Sequence, residues 1–188
     1  MAKPESSPRP LALIATRPIA DAKLAAALRD DLTELLQFIR LRVVANDSPD
    51  ELAKTAAAHD GPCLITFSDV AGIPADCVEG ALEMLEGPDV VIGPCADGSI
   101  YLIAAEGLDE AGFKALIDAA LAPDGLVRCI PLLEQAGLEA AALPPWFRVA
   151  NEKDVSFANS LARLSLMSDE GENDFIADRL RVWLEKPE

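Results

Sequence analysis

The sequence predicts a three-layer α/β/α domain with a mostly parallel central sheet and extra C-terminal helices. Short runs such as LALIA (11–15) and CLITF (63–67) are apolar throughout, as strands buried on both faces must be. Between them lie longer stretches with leucines at helical spacing. At 188 residues, 51% hydrophobic and 26% charged, the chain can build one core without disulfides or metal staples.

Leu11 to Ala15 reads as a first strand and Thr16-Arg17-Pro18 as the loop after it. Leu24, Leu28, Leu32, Leu35, Leu36 and Ile39 mark a long amphipathic helix, followed by a strand over Leu41 to Ala45. Ser48-Pro49-Asp50-Glu51 is a helix start, with a serine cap, proline at the first position and acids in the first turn. That helix ends near His59-Asp60-Gly61. A strand over Cys63 to Phe67, a helix over Ala75 to Leu85, and strands over Val90 to Ile92 and Ile100 to Ala104 follow. Gly107 to Ala122 and Pro131 to Ala136 are expected helices, and Leu143 to Phe147 an extended connection. Val155, Ala158, Leu161 and Leu164 define another helix. Phe175, Ile176, Leu180, Trp183 and Leu184 define a last one, after an acidic loop over Ser168 to Asn173. The expected organisation is a disordered segment at 1–10, the α/β domain at 11–167, and the acidic loop with its helix at 168–188.

The net charge is −16, from 32 acids against 16 bases spread along the chain. Nucleic acid is bound through clustered lysine and arginine, and an acidic field repels it, so a nucleic-acid partner is excluded. No run approaches the roughly 20 apolar residues of a membrane span, and Met1 to Pro10 lacks the apolar core of a signal peptide. A cytoplasmic protein with no membrane partner is expected. Cys63, Cys77, Cys95 and Cys129 form no close pair and read as reduced, buried thiols. His59 is the only histidine. At the end of a polar helix it complements the helix dipole, which argues against a Ser-His-Asp or Cys-His mechanism.

Ser68-Asp69 leaves an apolar strand where open α/β sheets bind ligands. Asp69 there either holds Mg²⁺ or Mn²⁺ on phosphate oxygens or caps a turn. The loop Gly93 to Ser99 either brings backbone close to a ligand or is a plain hairpin turn, since Asp-Gly is a common hairpin pair. No P-loop or dinucleotide fingerprint is present.

Several of these pieces recur together in one family. An apolar strand ends in Ser-Asp. After a helix, a strand ending in Gly-Pro leads through Asp-Gly into Tyr-Leu-Ile. Leu-Pro-Pro-Trp and a helix opened by Glu-Lys-Asp come next. Over Pro62 to Val155 this resembles the bacterial selenodomain-associated transferases, which have the GT-A fold of nucleotide-diphospho-sugar transferases and are related to phospholactate and molybdenum-cofactor guanylyltransferases. The sharpest piece is GPCADGSIYLIA at 93–104. The resemblance implies a nucleotide or nucleotide-sugar partner and a divalent Mg or Mn cofactor. By it Asp69 matches the first metal ligand, while Ser68, Asp97, Gly98 and Ser99 fall on the substrate side and Arg17 or Lys23 on the phosphate-binding loop.

The sequence departs from that pattern at charged positions. The family's Ser-Asp-x-Pro-Asp reads Ser68-Asp69-Val70-Ala71-Gly72, and its late Asp-x-Asp-Thr segment reads Phe147-Arg148-Val149-Ala150-Asn151. The first loop lacks the family's glycine and Lys-Thr-Arg run, and the chain between Val44 and Pro49 is too short for its nucleotide-contacting insertion. Arg148 either pairs with a phosphate in place of metal or is a surface arginine tied to an acid. The expectation is a transferase-fold protein of reduced site, a degenerate nucleotide or nucleotide-sugar binder whose catalytic residues are unknown. The alternatives are an active nucleotidyl- or glycosyltransferase, or a non-catalytic interaction module, dimerising through the helix that carries Trp183 and Leu184.

Overall fold

The computed structural model describes residues 8–165, 167 and 177–185. Every residue of the strands β1 (Leu11–Ala15) and β3 (Cys63–Phe67) is buried. Successive side chains of a strand face opposite ways, so the sheet is covered on both sides. β2 (Arg42–Asn46) and β6 (Ala140–Ala142) are its half-exposed edges. With β4 (Val90–Pro94) and β5 (Ile100–Ala105), the order is β2-β1-β3-β5-β4-β6. β1, β2 and β3 run parallel, as do β4 and β6, while β5 runs antiparallel to both of its neighbours. The expected three-layer, mostly parallel fold is therefore present, with six strands and seven helices among the described residues.

The helices are α1 (Ala22–Phe38), α2 (Pro49–Ala57), α3 (Ala75–Met84), α4 (Glu110–Leu121), α5 (Gly125–Ala136), α6 (Glu152–Ser165) and α7 (Asp178–Leu184). Side-chain caps fix the starts of α1 and α2, the latter as the sequence foretells. Ser48 accepts the Glu51 amide at α2, and Asp21 accepts the Lys23 and Leu24 amides at α1.

Two elements differ from the sequence expectation. α5 begins six residues before Pro131, which sits inside the helix; packing overrides the proline, because Gly125 lies so close to the α4 backbone that an added Cβ would meet Ala120 at 3.1 Å. β6 carries no strand signal, being three alanines, and exists through its ladder with β4. Gly93 has its own reason: a Cβ there would lie 2.5 Å from the Tyr101 ring. That ring is fully buried, and its hydroxyl donates to the Pro144 carbonyl at 3.0 Å.

A second, smaller cluster joins α7 to the domain. Leu24, Leu28, Val149, Ala158 and Leu180 form its centre, with Trp183 and Leu184 packed against them within the chain. The expected acidic loop and the helix positions Phe175 and Ile176 lie outside the described residues. Of the first ten residues, 8–10 are described, and the Pro10 carbonyl accepts the Arg42 amide at 3.1 Å. No helix among the described residues is long and apolar enough to cross a membrane.

The α7 start has no side-chain cap of its own. Asp31 of α1, 4% exposed, supplies one: its carboxylate accepts the Arg179 amide at 3.0 Å and the Leu180 amide at 2.8 Å. Burial pushes this carboxyl up, and those amides with the Arg179 guanidinium pull it back only in part. Asp31→Ala strands both amides and is expected to cost about 1–3 kcal/mol. In a Trp146→Phe background, a urea titration should show Trp183 becoming solvent-exposed before the main transition; coincident transitions would refute this role of Asp31.

Burial raises the thiols of Cys63 to about 12 and of Cys95 and Cys129 to about 11. Because these folded values lie above those of the unfolded chain, the stability they carry is whole below about pH 9. It is lost as pH rises toward 11, where the unfolded chain releases the protons first. Equilibrium unfolding from pH 8 to 11 should show this fall, shallower in Cys129→Ala.

Candidate functional site

The carboxyl ends of β1, β3 and β4 and the start of β5 meet at one end of the sheet. Arg17 follows β1, and Ser68-Asp69 follows β3. The two exits are stitched together: the Arg17 amide donates to Ser68 Oγ at 3.0 Å, and the Ser68 amide donates to the Ala15 carbonyl at 3.0 Å. The segment Trp146–Val149 then crosses these ends. The Trp146 amide donates to Pro94 O at 3.0 Å and the Val149 amide to Asp69 O at 2.8 Å, while Trp146 Nε1 donates to Ala71 O at 2.8 Å. A short antiparallel bridge pairs Val70 with Arg148 and sets the Arg148 side chain beside Asp69.

The centre of this arrangement is Asp69, 1% exposed. Its Oδ1 lies 3.2 Å from Arg17 Nη1 and its Oδ2 lies 3.0 Å from Arg148 Nε. The Arg148 contact is an ion pair without a hydrogen bond, since that N–H is not aimed at the carboxylate. Arg17, itself 3% exposed, also donates from Nη2 to the carbonyls of Ile100, at 2.9 Å, and Ala120, and its guanidinium lies 3.8 Å above the Phe67 ring. Burial pushes the Asp69 carboxyl up, partly offset by the Arg17 and Arg148 charges. Burial also lowers Arg17, but a guanidinium keeps its proton in proteins.

Asp97 and Ser99 sit on the β4–β5 turn, which is a hairpin: the Gly98 amide donates to Cys95 O at 3.0 Å and the Cys95 amide to Ser99 O at 2.8 Å. Gly98 has φ of 86°, a conformation suited to glycine. Asp97 accepts from the Ser99 amide at 3.0 Å and from its hydroxyl. Burial pushes Asp97 up, but the Ser99 hydrogen bonds and the Arg148 charge outweigh it, so its carboxyl titrates below the ordinary range.

Arg17, Ser68, Asp69, Asp97, Ser99 and Arg148 are thus gathered at one end of the sheet. Lys23 is not: it is exposed on α1 and lines a separate surface cavity with Asp30, Glu34 and Asp178. Phe67 and the Ile100 and Ala120 carbonyls, which hold Arg17, carry no signal in the sequence, because backbone carbonyls and a strand phenylalanine look alike everywhere.

The donor set does not fit a divalent cation. Both Asp69 oxygens face guanidiniums, and no group of three His, Cys, Asp or Glu side chains able to hold a metal occurs among the described residues. Mg²⁺ needs several oxygen ligands in octahedral array, and a second positive charge at the same carboxylate repels it.

Residues 19–117, more than half of the chain, match the family described as an uncharacterized protein conserved in bacteria (DUF2064), and the chain belongs to that family. No curated protein matches. A proposed nucleotide-diphospho-sugar transferase from Desulfovibrio desulfuricans G20 superposes with a TM-score of 0.65 at 17% identity, covering 97% of this chain and 100% of that one. A 4-diphosphocytidyl-2C-methyl-D-erythritol synthase from Anaerococcus prevotii DSM 20548 gives 0.50 at 12%, covering 82% and 99%. At these identities the likeness is one of fold: that of the nucleotide-diphospho-sugar transferases, in divergent form.

Removing one partner of a buried ion pair leaves an uncompensated charge and costs about 3–5 kcal/mol. Asp69→Ala is expected to destabilise by that much, and adding Arg17→Met should restore part of the loss. A double-mutant cycle by urea unfolding measures this, and an Asp69→Ala variant within about 1 kcal/mol of wild type would exclude the pairing.

Proposed function

We propose that this DUF2064 protein is a degenerate nucleotide- or nucleotide-sugar-binding protein of transferase fold, which holds its ligand through a guanidinium instead of a metal ion. The observation that carries the reading is the pairing of both Asp69 oxygens with Arg17 and Arg148, at 3.2 and 3.0 Å. Transfer of a phosphoryl-linked group needs metal or freely directed cations on the developing charge. Here Arg17 is consumed by Asp69 and two carbonyls, which leaves a single guanidinium, Arg148, where that chemistry needs metal or several cations.

Arg148 is the remaining cation. Its side chain is 18% exposed, and no described residue accepts a hydrogen bond from it. Its terminal nitrogens suit the paired oxygens of a phosphate. Next along the chain, Val149, Glu152 and Val155 line a cavity of about 380 Å³ with Ile19, Asp21 and Trp183. Its wall is apolar apart from carboxylates and an amide, so it suits a neutral base or sugar while the phosphate stays at Arg148.

Thermal unfolding with a panel of nucleoside triphosphates and nucleotide-sugars, in EDTA and in Mn²⁺, tests this. A ligand at a hundred times its dissociation constant stabilises by about 2.7 kcal/mol. The expected shift is equal in EDTA and Mn²⁺ and absent in Arg148→Ala. A shift or turnover that requires Mn²⁺ restores the active transferase, and silence toward every ligand leaves a module that works through protein contacts.

A further inference from the structure

The amino end of the sheet, opposite the crevice, carries a cluster of a different kind. β1 and β2 start side by side there, with Leu11 in register with Arg42. Lys54 lies in the last turn of α2, and His59 follows that helix. All three polar residues line one cavity of about 290 Å³, together with Glu51. Acids outnumber bases 32 to 16 in this chain, so a cation with no carboxylate beside it is open to an outside anion. Arg42 and Lys54 have none: among the described residues neither makes an ion pair or a side-chain hydrogen bond. The His59 Nε2 is buried and also lacks a partner.

We propose that Arg42 and Lys54, with His59 forming part of the wall, make a second binding site, for a phosphate-type oxyanion or a small phosphomonoester. The guanidinium offers a fork of N–H donors and the ammonium a compact charge. Arg42 and Lys54 outnumber Glu51 two to one, and a concave wall focuses that excess. The carbonyl end of α2 opposes an anion, but its exposed acceptors are reduced. The Lys54 carbonyl takes the Ala58 amide, and the Ala56 carbonyl takes the His59 amide and the Cys63 thiol. The volume lies just under the span of pockets that enclose drug-sized ligands, which fits phosphate with a short substituent and not a nucleotide-sugar. The site shares no residue with the crevice and does not rest on the proposed function.

Calorimetric titration with inorganic phosphate and with glycerol phosphate, against sodium chloride of equal ionic strength, tests the site. Wild type should bind saturably. Arg42→Ala/Lys54→Ala should bind at least tenfold more weakly, and Arg163→Ala, an exposed charge loss on α6 outside both sites, should bind like wild type. Both substituted positions are exposed, so folding is preserved, and Arg42→Lys should retain part of the affinity. Tighter binding of the ester marks a monoester site, and tighter binding of the bare ion marks a free-oxyanion site. Equal binding in the double variant, an equal loss in Arg163→Ala, or no saturation at tens of millimolar phosphate overturns the proposal.

Discussion

A carboxylate with a guanidinium at each oxygen ties together the strand ends of this domain. Asp69 belongs to the exit of β3, Arg17 to that of β1, and Arg148 to a segment 79 positions further along. Arg17 extends the connection to β5 and α4 through the Ile100 and Ala120 carbonyls. The latter is one of the orphan acceptors of a helix end, where positive charge also suits the dipole. Buried charges repay their desolvation only when every partner is in place, and such networks hold or fail as a unit. The Phe67 face beneath the guanidinium completes the enclosure.

The same arrangement governs what the crevice offers a ligand. A carboxylate kept for a metal must stay exposed to exchange water for ligand. Asp69 is instead closed off at 1% exposure and neutralised by fixed side chains. Polarity at the strand ends thus serves the integrity of the scaffold, and Arg148 is the one member of the trio that faces outward in part. Asp97, steadied by Ser99, lies within its field.

Much of this fold is legible in the sequence because its signals are local. LALIA and CLITF are bounded apolar runs, and Asp21 and Ser48 are caps recognisable from their neighbours. The elements that escape are set by tertiary contacts: β6 is a strand only beside β4, and α5 passes through Pro131 because Gly125 anchors it on α4. The site divides in the same way. The resemblance brings Asp69 and Arg148 into one region, yet their pairing is hidden, since the acids lost from the late segment do not announce that an arginine turns inward. Reading Arg148 as a surface residue tied to an acid is half right: the tie exists, but to the most buried acid of the site.

The capping of α7 by Asp31 joins residues 148 and 149 positions apart. Chains emerge from the ribosome amino end first, and domains organise as they emerge. While the residues between α1 and α7 are being made, the acceptor on α1 therefore has no helical partner. Only when α7 leaves the exit tunnel can the two amides arrive and Trp183 pack against the cluster of Leu24 and Leu28. The small cluster thus closes only after α7 has been made, long after α1 has formed.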